Sequence, residues 1–173
     1  DALLARARLL EQSGDRAGAA TSLEELLTLA PRHAGATQAL LRVLRELEDW
    51  ERLGSWLAAE APHAPPDEAA ALYAELGTLY ARHLERPEAA EAALRQAVRL
   101  APERTLVRRQ LVALVAARGE AAEAAQLLDV DEGLLPADET AGLLREGVGH
   151  ARAAGDMSRA LELARRAHGL VPA

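Results

Sequence analysis

Histidine and serine are among the residues in this sequence that could support catalysis, but their spacing does not indicate an active site. No two histidines form a His-x-x-x-His or His-Glu-x-x-His pair, the spacing that places two zinc ligands on one face of a helix. Serine is rare and far from any histidine in the sequence, so the spacing indicates no nucleophile–base pair and leaves only proximity in the folded chain open. We therefore predict no catalytic residues and no metal site. The histidines are His33, His63, His83, His150 and His168.

Other ligand-binding motifs fail for specific reasons. Asp129, Asp131 and Gly133 resemble the start of a calcium-binding loop, but the glycine comes one place early and the twelfth position is Thr140 instead of glutamate. A phosphate-binding loop needs a lysine, and the sequence contains none. Cysteine is absent as well, which removes disulfides, thiolate metal sites and thiol catalysis. The sequence thus indicates neither an enzyme nor a bound cofactor.

The charge balance restricts the class of partner. The net charge is −7 and the isoelectric point is near 5.3, so we expect no nonspecific binding to nucleic acid or to an anionic membrane. No apolar run is long enough for membrane insertion. All 20 basic residues are arginine, a composition typical of a GC-rich bacterial genome. The sequence begins at Asp1 and its one methionine is Met157, from which we expect a piece of a larger protein.

The composition and periodicity of the chain favour helices. Apolar residues make up 50% of the sequence and are mostly alanine and leucine, whereas aromatic residues make up 2%. They recur three and four positions apart between glycine and proline breaks, which predicts ten helices and no strand. The predicted helices cover 2–13, 16–29, 34–47, 49–60, 67–84, 87–100, 104–117, 120–128, 138–153 and 156–169.

Proline and glycine divide the chain into five units of similar length. Leu-Ala-Pro ends the first and third units, at 29–31 and 100–102, and Leu-Val-Pro ends the fifth, at 170–172. Pro65 and Pro136 fall where the second and fourth units should end. Each unit therefore reads as two helices joined by a turn, and such a hairpin must stack on its neighbours to bury its apolar faces. The turns carry Gly-Asp or Gly-Glu at 14–15, 119–120 and 155–156, and Glu-Asp at 48–49.

The third unit carries the residues that identify the repeat. Its first helix reads LYAELGTLY, and its second helix spaces small and bulky residues before a proline. The unit resembles the tetratricopeptide repeat family at Tyr73, Leu76, Gly77, Tyr80, Ala90, Leu94, Ala97 and Pro102. The resemblance implies an all-α superhelix, a solenoid of about five helical hairpins in a single domain. The implied units are 1–33, 34–67, 70–104, 105–138 and 141–173.

A longer period of 71 residues is superimposed on the repeat. A shift of 71 aligns Pro65 with Pro136, and Asp-Glu follows both prolines, at 67–68 and 138–139. We infer that the ancestral unit was a pair of hairpins and that the second helix of each even unit is short. We also expect Asp67 and Asp138 to be the N-caps of the helices that follow.

The resemblance also implies where a partner binds. In such arrays the first helices of successive units line a concave face that holds a peptide or a partner helix. We predict that arginine lines much of this face, where it suits the carboxylates of an acidic protein or peptide. The candidate residues are Arg8, Gln38, Arg42, Arg45, Thr78, Arg82, Arg109, Gln110, Arg145 and Arg152. A simpler interpretation is that these arginines are the solvated side of Arg-rich helices.

Two functions are compatible with these features. The first is a noncatalytic protein–protein interaction module. The alternative is a structural or self-assembly segment whose open ends bind copies of itself or flanking repeats. Because no polar capping helix follows the last hairpin in the sequence, we expect Leu161, Ala164 and Leu170 to be partly exposed or covered by a neighbouring chain.

Overall fold

The computed structural model describes residues 2–31 and 33–171. Over those ranges it contains ten α-helices and no strand, which confirms the predicted all-α fold class. Each predicted helix is present, with both ends within two residues of the prediction. The helices are α1 Ala2–Gln12, α2 Arg16–Leu29, α3 Ala34–Glu46, α4 Trp50–Glu60, α5 Pro66–Arg82, α6 Pro87–Leu100, α7 Thr105–Ala117, α8 Ala121–Leu127, α9 Ala137–Ala153 and α10 Met157–Leu170, with a 3₁₀ helix at Ala61–His63. Within these described ranges, no helix has the length and apolar character needed to cross a membrane.

The chain divides into two compact units, residues 1–56 and 57–173. In the first unit α2 packs against both α1 and α3. In the second unit each helix from α5 to α10 packs against the next one. Consecutive helices therefore form hairpins that stack within each unit. The assignment of the whole chain to a single domain stays a prediction.

The long second helices end with the same backbone geometry. The capping residues of α2, α6 and α10 are Ala30, Ala101 and Val171, and their φ angles are −137°, −138° and −139°. Pro31 and Pro102 follow the first two caps and cannot continue a helix. The corresponding Pro172 lies outside the described residues. The second helices α2 and α6 therefore end where the sequence predicts.

The second and fourth hairpins have short second helices, as predicted. α4 has 11 residues and α8 has 7, whereas α2, α6 and α10 have 14 each. The predicted N-caps are wrong, because Pro65 and Pro136 occupy those positions and Asp67 and Asp138 lie in the first helical turn. The proline ring fixes φ and sets the extended entry into each helix. The two carboxylates instead lie near the positive end of the helix dipole.

Tight turns join the two helices of each hairpin. Gly14, Gly119 and Gly155 have φ angles of 87°, 84° and 78°, a left-handed conformation that glycine adopts without steric cost. Two glutamates adopt the same conformation, with φ of 54° at Glu48 and 51° at Glu85. The Cβ atom strains such a residue by about 1–2 kcal/mol.

Replacing Glu48 or Glu85 with glycine should raise the free energy of unfolding by about 0.5–1 kcal/mol. The relieved strain exceeds the extra entropy that glycine gives the unfolded chain. Urea unfolding followed by circular dichroism measures the change. Glu103→Gly is the control, because Glu103 lies in a turn without a positive φ, and it should lower stability. Destabilisation by Glu48→Gly and Glu85→Gly would contradict the strain argument.

Gly77 allows α5 and α6 to approach closely. A Cβ atom built at this buried position would lie 2.6 Å from Cγ of Leu94 and 3.2 Å from the carbonyl oxygen of Ala90. Tyr73 and Tyr80 are half-buried on the same helix, and Tyr73 packs against the core cluster that contains Leu94. The glycine and the tyrosines therefore shape the helix pair, which is the role that their spacing indicates.

Candidate partner-binding face of the first helices

The ten candidate residues all lie on the first helices of hairpins. These helices are α1 and α3 in the first unit and α5, α7 and α9 in the second. Thr78 and Gln110 are half-buried, and the other eight candidates are exposed. The sequence therefore places arginine on accessible helical surface, and the ion pairs of each arginine decide what it can bind.

In the first unit, the guanidinium of Arg42 is already paired with carboxylates of the protein. Its Nη2 donates to Oε2 of Glu11 at 2.7 Å, and its Nη1 donates to Oε1 of Glu46 at 3.4 Å. Arg16 donates to the same Glu46 at 2.8 Å. The hydrogen bond to Glu11 raises the pKa of Arg42, and the bond from Arg16 lowers the pKa of Glu46. Arg42 thus links α1 to α3, and an incoming carboxylate would compete with Glu11.

In the second unit, side-chain bonds connect the three first helices. Arg109 on α7 forms a two-pronged ion pair with Glu146 on α9, with Nη2 at 2.7 Å and Nε at 3.0 Å from Oε1. The hydrogen bond to Glu146 raises the pKa of Arg109. On the other side of α7, Nε2 of Gln110 lies 3.4 Å from Oγ1 of Thr78 on α5. These bonds join Thr78, Gln110, Arg109 and Glu146 across the three helices. We call the surface of α5, α7 and α9 that carries the candidates the first-helix face of the second unit.

Three other arginines on this face keep their charge uncompensated by carboxylates. Arg82 and Arg152 are exposed and have no ion-pair partner among the residues that the structure describes. Arg145 is exposed and donates through Nη2 to the carbonyl oxygen of Val171 at 3.4 Å. These three residues add positive charge that no paired carboxylate offsets, whereas Arg109 and Glu146 offset each other.

Sequence reasoning did not anticipate these internal ion pairs. The partners of Arg42 and Arg109 lie 31 and 37 residues away, about one repeat along the chain. A search for opposite charges one repeat apart on first helices would have found both pairs. Whether the candidates bind a partner stays a prediction, and the pairs show which of them are available for it.

The second helices carry two further ion pairs that sequence reasoning did not predict. Arg52 on α4 donates to Glu24 on α2 at 2.7 Å, and 71 residues further on Arg95 on α6 donates to Glu123 on α8 at 2.6 Å. Glu24 is equivalent to Arg95, and Arg52 is equivalent to Glu123, so the acidic and the basic residue are exchanged between the two pairs. The hydrogen bonds that Arg52 and Arg95 donate to carboxylates raise the pKa of both guanidinium groups, with Glu91 the largest contributor for Arg95. These pairs stabilise hairpin stacking and are not available to a partner.

Arg108 is a buried cation next to the candidate face. It is 8% exposed, and it donates to the carbonyl oxygens of Leu127 at 2.8 Å and Pro102 at 3.0 Å. Its Nε has no hydrogen-bond partner among the described residues, and burial lowers the pKa of its guanidinium. Arg108 therefore ties α7 to the end of α8 and to the turn after α6, and it does not face a ligand.

The loop that resembles a calcium site is held by arginines. Asp129 accepts hydrogen bonds from Arg159 and Arg166 on α10. Arg166 also donates to the carbonyl oxygen of Val130 at 2.9 Å. Across residues 2–31 and 33–171, no cluster of histidine and carboxylate side chains has the arrangement of a metal site. Asp129 thus connects the loop after α8 to the last helix.

Comparisons with known proteins agree with this geometry. Residues 70–104 match the family described as Tetratricopeptide repeat, which is the segment that the sequence analysis singles out. Among solved structures, YrrB, described as a TPR protein with an unusual peptide-binding site, is 21% identical with a TM-score of 0.55, over 98% of this chain and 85% of that chain. MamA is 16% identical with a TM-score of 0.57, over 95% of this chain and 93% of that chain. No curated protein matches the sequence.

A third solved structure also contains repeats of this type. It is a putative kinesin light chain from Podosopora anserina with nearly identical TPR-like repeats. This protein is 18% identical with a TM-score of 0.52, over 98% of this chain and 92% of that chain. At these identities the likeness shows the fold, and it confirms the helical-hairpin architecture that the third unit implies.

Proposed function

We propose that this chain, whose residues 70–104 match the tetratricopeptide repeat family, is a noncatalytic scaffold that binds an acidic segment of a partner protein on its first helices. Repeat arrays of helical hairpins commonly bind peptides or helices on such a face. The structural neighbour YrrB is described as having a peptide-binding site, which supports the same class of ligand for this chain.

The observation that carries the proposal is the uncompensated arginine on the first-helix face of the second unit. Arg82, Arg145 and Arg152 are exposed there without a carboxylate partner in the described chain, although the protein has a net charge of −7. The pair between Arg109 and Glu146 links α7 to α9 on this face. Arginine binds a carboxylate through two parallel hydrogen bonds, which gives both strength and orientation.

In the first unit, Arg8 on α1 and Gln38 and Arg45 on α3 are exposed candidates. We assign Arg42 a supporting role, because Glu11 and Glu46 already neutralise it. A partner segment that reaches this unit would therefore meet less free positive charge at Arg42 than the sequence alone predicts. The prediction for binding thus shifts towards arginines that have no internal carboxylate.

Charge reversal on the first-helix face tests this function. The double variant Arg82→Glu with Arg152→Glu should bind acidic peptides at least tenfold more weakly than the wild type, because two attractive contacts become repulsive. The probe is an array of fluorescein-labelled decapeptides of graded Asp and Glu content, titrated by fluorescence anisotropy. Binding by the wild type should also weaken as salt rises.

The matched control reverses two arginines on second helices. Arg99 on α6 and Arg165 on α10 are exposed, so Arg99→Glu with Arg165→Glu makes the same change in net charge on other surfaces. This control should bind within twofold of the wild type. Equal loss in both double variants would mean that net charge, and not the first-helix face, attracts the peptides. An unchanged affinity in Arg82→Glu with Arg152→Glu would refute the proposal.

A further inference from the structure

Leu106 is a large apolar side chain that is exposed in the interior of the second unit. It is 70% exposed and lies on α7, which side-chain bonds join to a first helix on each side, α5 and α9. Leu161 and Ala164 on α10 are exposed and Leu170 is half-buried, as the sequence analysis expects for the last hairpin. Leu106 instead has a neighbouring hairpin on either side, so the end of the array does not explain its exposure.

Helical geometry places Leu106 on the first-helix face. The buried side of α7 consists of Val107, Arg108, Leu111, Val112 and Val115. Leu106 lies three residues before Arg109 and four before Gln110, which bond to α9 and α5, so it lies one turn earlier on the same side. Ala113 and Ala117 are exposed and continue this line along α7. Leu106 is therefore a bulky apolar residue on the middle line of the face.

The stacking of hairpins does not require a leucine at this position. A shift of 71 residues places Gly35 of α3 there. The turns at Gly119 and Gly155 align α7 with α9 by a shift of 36 residues, which places Gly142 there. Gly35 is exposed, and no atom lies within 4 Å of a Cβ built on Gly142. Packing within the hairpins therefore does not explain the leucine, whereas a contact that removes it from water would be favourable.

The charges of the face differ between its two ends. Asp67 and Glu139, both exposed, lie in the first turns of α5 and α9. They come three and two turns before the residues that bond to α7, so they lie on the same side and beyond Leu106. Arg82 lies at the opposite end, in the last turn of α5 and one turn after Thr78. An acidic residue of a partner is therefore repelled near Leu106 and attracted at Arg82.

The bond between Gln110 and Thr78 sets the register of α7 against α5. Leu106 lies one turn before Gln110, and Arg82 lies one turn after Thr78, so about 12 Å of helical rise separates them. The two helices lie side by side, which adds a lateral distance of about 10–12 Å. Leu106 and Arg82 are therefore about 16 Å apart, a distance that an extended chain spans in about five residues.

We propose that the partner segment is bipartite: an apolar residue packs on Leu106, and an acidic residue about five positions away in the extended segment pairs with Arg82. The short side chain of Ala113 leaves the segment room to cross from α7 towards α5. This inference rests on the proposed function, because Arg82 belongs to the acidic-segment site. It adds a second feature that the partner carries and the spacing between the two features.

Peptides of identical composition test the spacing. Each fluorescein-labelled decapeptide carries one leucine and a pair of aspartates among glycine and serine, with the leucine either about five positions from the pair or next to it. Both chain directions are made for each spacing, and binding to the whole chain is followed by fluorescence anisotropy. We expect the spaced peptide to bind about fivefold more tightly, or better, than the adjacent peptide in one of the two directions. Only this spacing reaches both Leu106 and Arg82.

Two variants test the two contacts. Leu106→Gln removes the apolar contact but keeps a side chain of similar length and helix propensity. It should lose the preference for the spaced peptide and should bind an acidic peptide without leucine like the wild type. Arg82→Glu should weaken the binding of both peptides. It should bind a spaced peptide with lysine in place of aspartate more tightly than the wild type does.

Leu29→Gln is the matched control. Leu29 is 78% exposed on α2, so this variant makes the same substitution on another surface. It should bind the spaced peptide like the wild type, and circular dichroism should show equal helix content in all variants. Binding of the spaced peptide by Leu106→Gln at wild-type affinity would overturn the bipartite segment, as would equal affinities for the two spacings.

The outcomes separate this inference from the function on which it rests. If Arg82→Glu with Arg152→Glu loses leucine-free acidic peptides while Leu106→Gln behaves like the wild type, the acidic-segment site stands and the bipartite segment is overturned. Binding that depends on Leu106 and not on the arginines would overturn both proposals. Absence of binding by every peptide would also overturn both.

Discussion

Gly77→Leu should lower the free energy of unfolding by about 3 kcal/mol or more. Even the first side-chain carbon would lie 2.6 Å from Cγ of Leu94, and the carbonyl oxygen of Ala90 limits movement on that side. The side chain must therefore force α5 and α6 apart, and this helix pair is one of the most closely packed in the second unit. Urea unfolding followed by circular dichroism, fitted for each transition, measures the loss.

Gly149→Ala is the control for helix propensity. Gly149 lies inside α9, is exposed, and has no atom within 4 Å of a Cβ built on it. Alanine there should raise the free energy of unfolding by about 0.5–1 kcal/mol, because it restricts the unfolded chain and favours the helix. Unchanged stability in Gly77→Leu would mean that α5 and α6 do not pack at this point.

Arg108→Glu should cost about 3–5 kcal/mol, because it places an unpaired carboxylate in a buried site lined by carbonyl oxygens. The guanidinium now donates to Leu127 and Pro102, and neither oxygen can bond to a carboxylate. Leu127 is the last residue of α8, so the negative end of a helix dipole repels the new charge as well. The free energy of unfolding in urea is again the measurement.

Arg108→Met separates the effect of the charge on stability from the effect of the side-chain size. Methionine removes the burial cost of the cation but leaves two carbonyl oxygens without their donor, so we expect a smaller loss of about 1–3 kcal/mol. Equal losses in the two variants would show that packing, and not charge, explains the position. A glutamate variant as stable as the wild type would mean that Arg108 is exposed to solvent in solution.

Helix positions were predictable from the sequence because local signals determine them. Proline and glycine mark the ends of the units, and the spacing of leucine and alanine marks the buried sides. The family match at 70–104 falls on the unit with the complete pattern. The two N-cap predictions failed because Asp67 and Asp138 are good caps by residue type, while the prolines before them already set the entry into the helix.

The candidate face was less predictable, because its charge depends on neighbours a repeat away. Arg42 and Arg82 look alike in the sequence. Glu11 and Glu46 form ion pairs with Arg42, whereas Arg82 has no carboxylate partner among the described residues. Arg108 and Arg109 are adjacent, yet one is buried against carbonyl oxygens and the other is paired at the surface. Helical periodicity predicts the side of a helix on which a residue lies. The residues that its side chain contacts depend on how neighbouring hairpins stack.

The exchanged charges on the second helices have a consequence for how the chain folds. A protein that contains near copies of a hairpin pair risks joining a helix of one copy to the wrong neighbour during folding. Leu40 and Leu111, which are equivalent and both fully buried, do not distinguish the copies. The charges do, because α2 beside α8 would set Glu24 against Glu123, and α6 beside α4 would set Arg95 against Arg52. Each correct neighbour is attracted and each swapped neighbour is repelled, so we expect the exchange to disfavour mispairing between the duplicated segments.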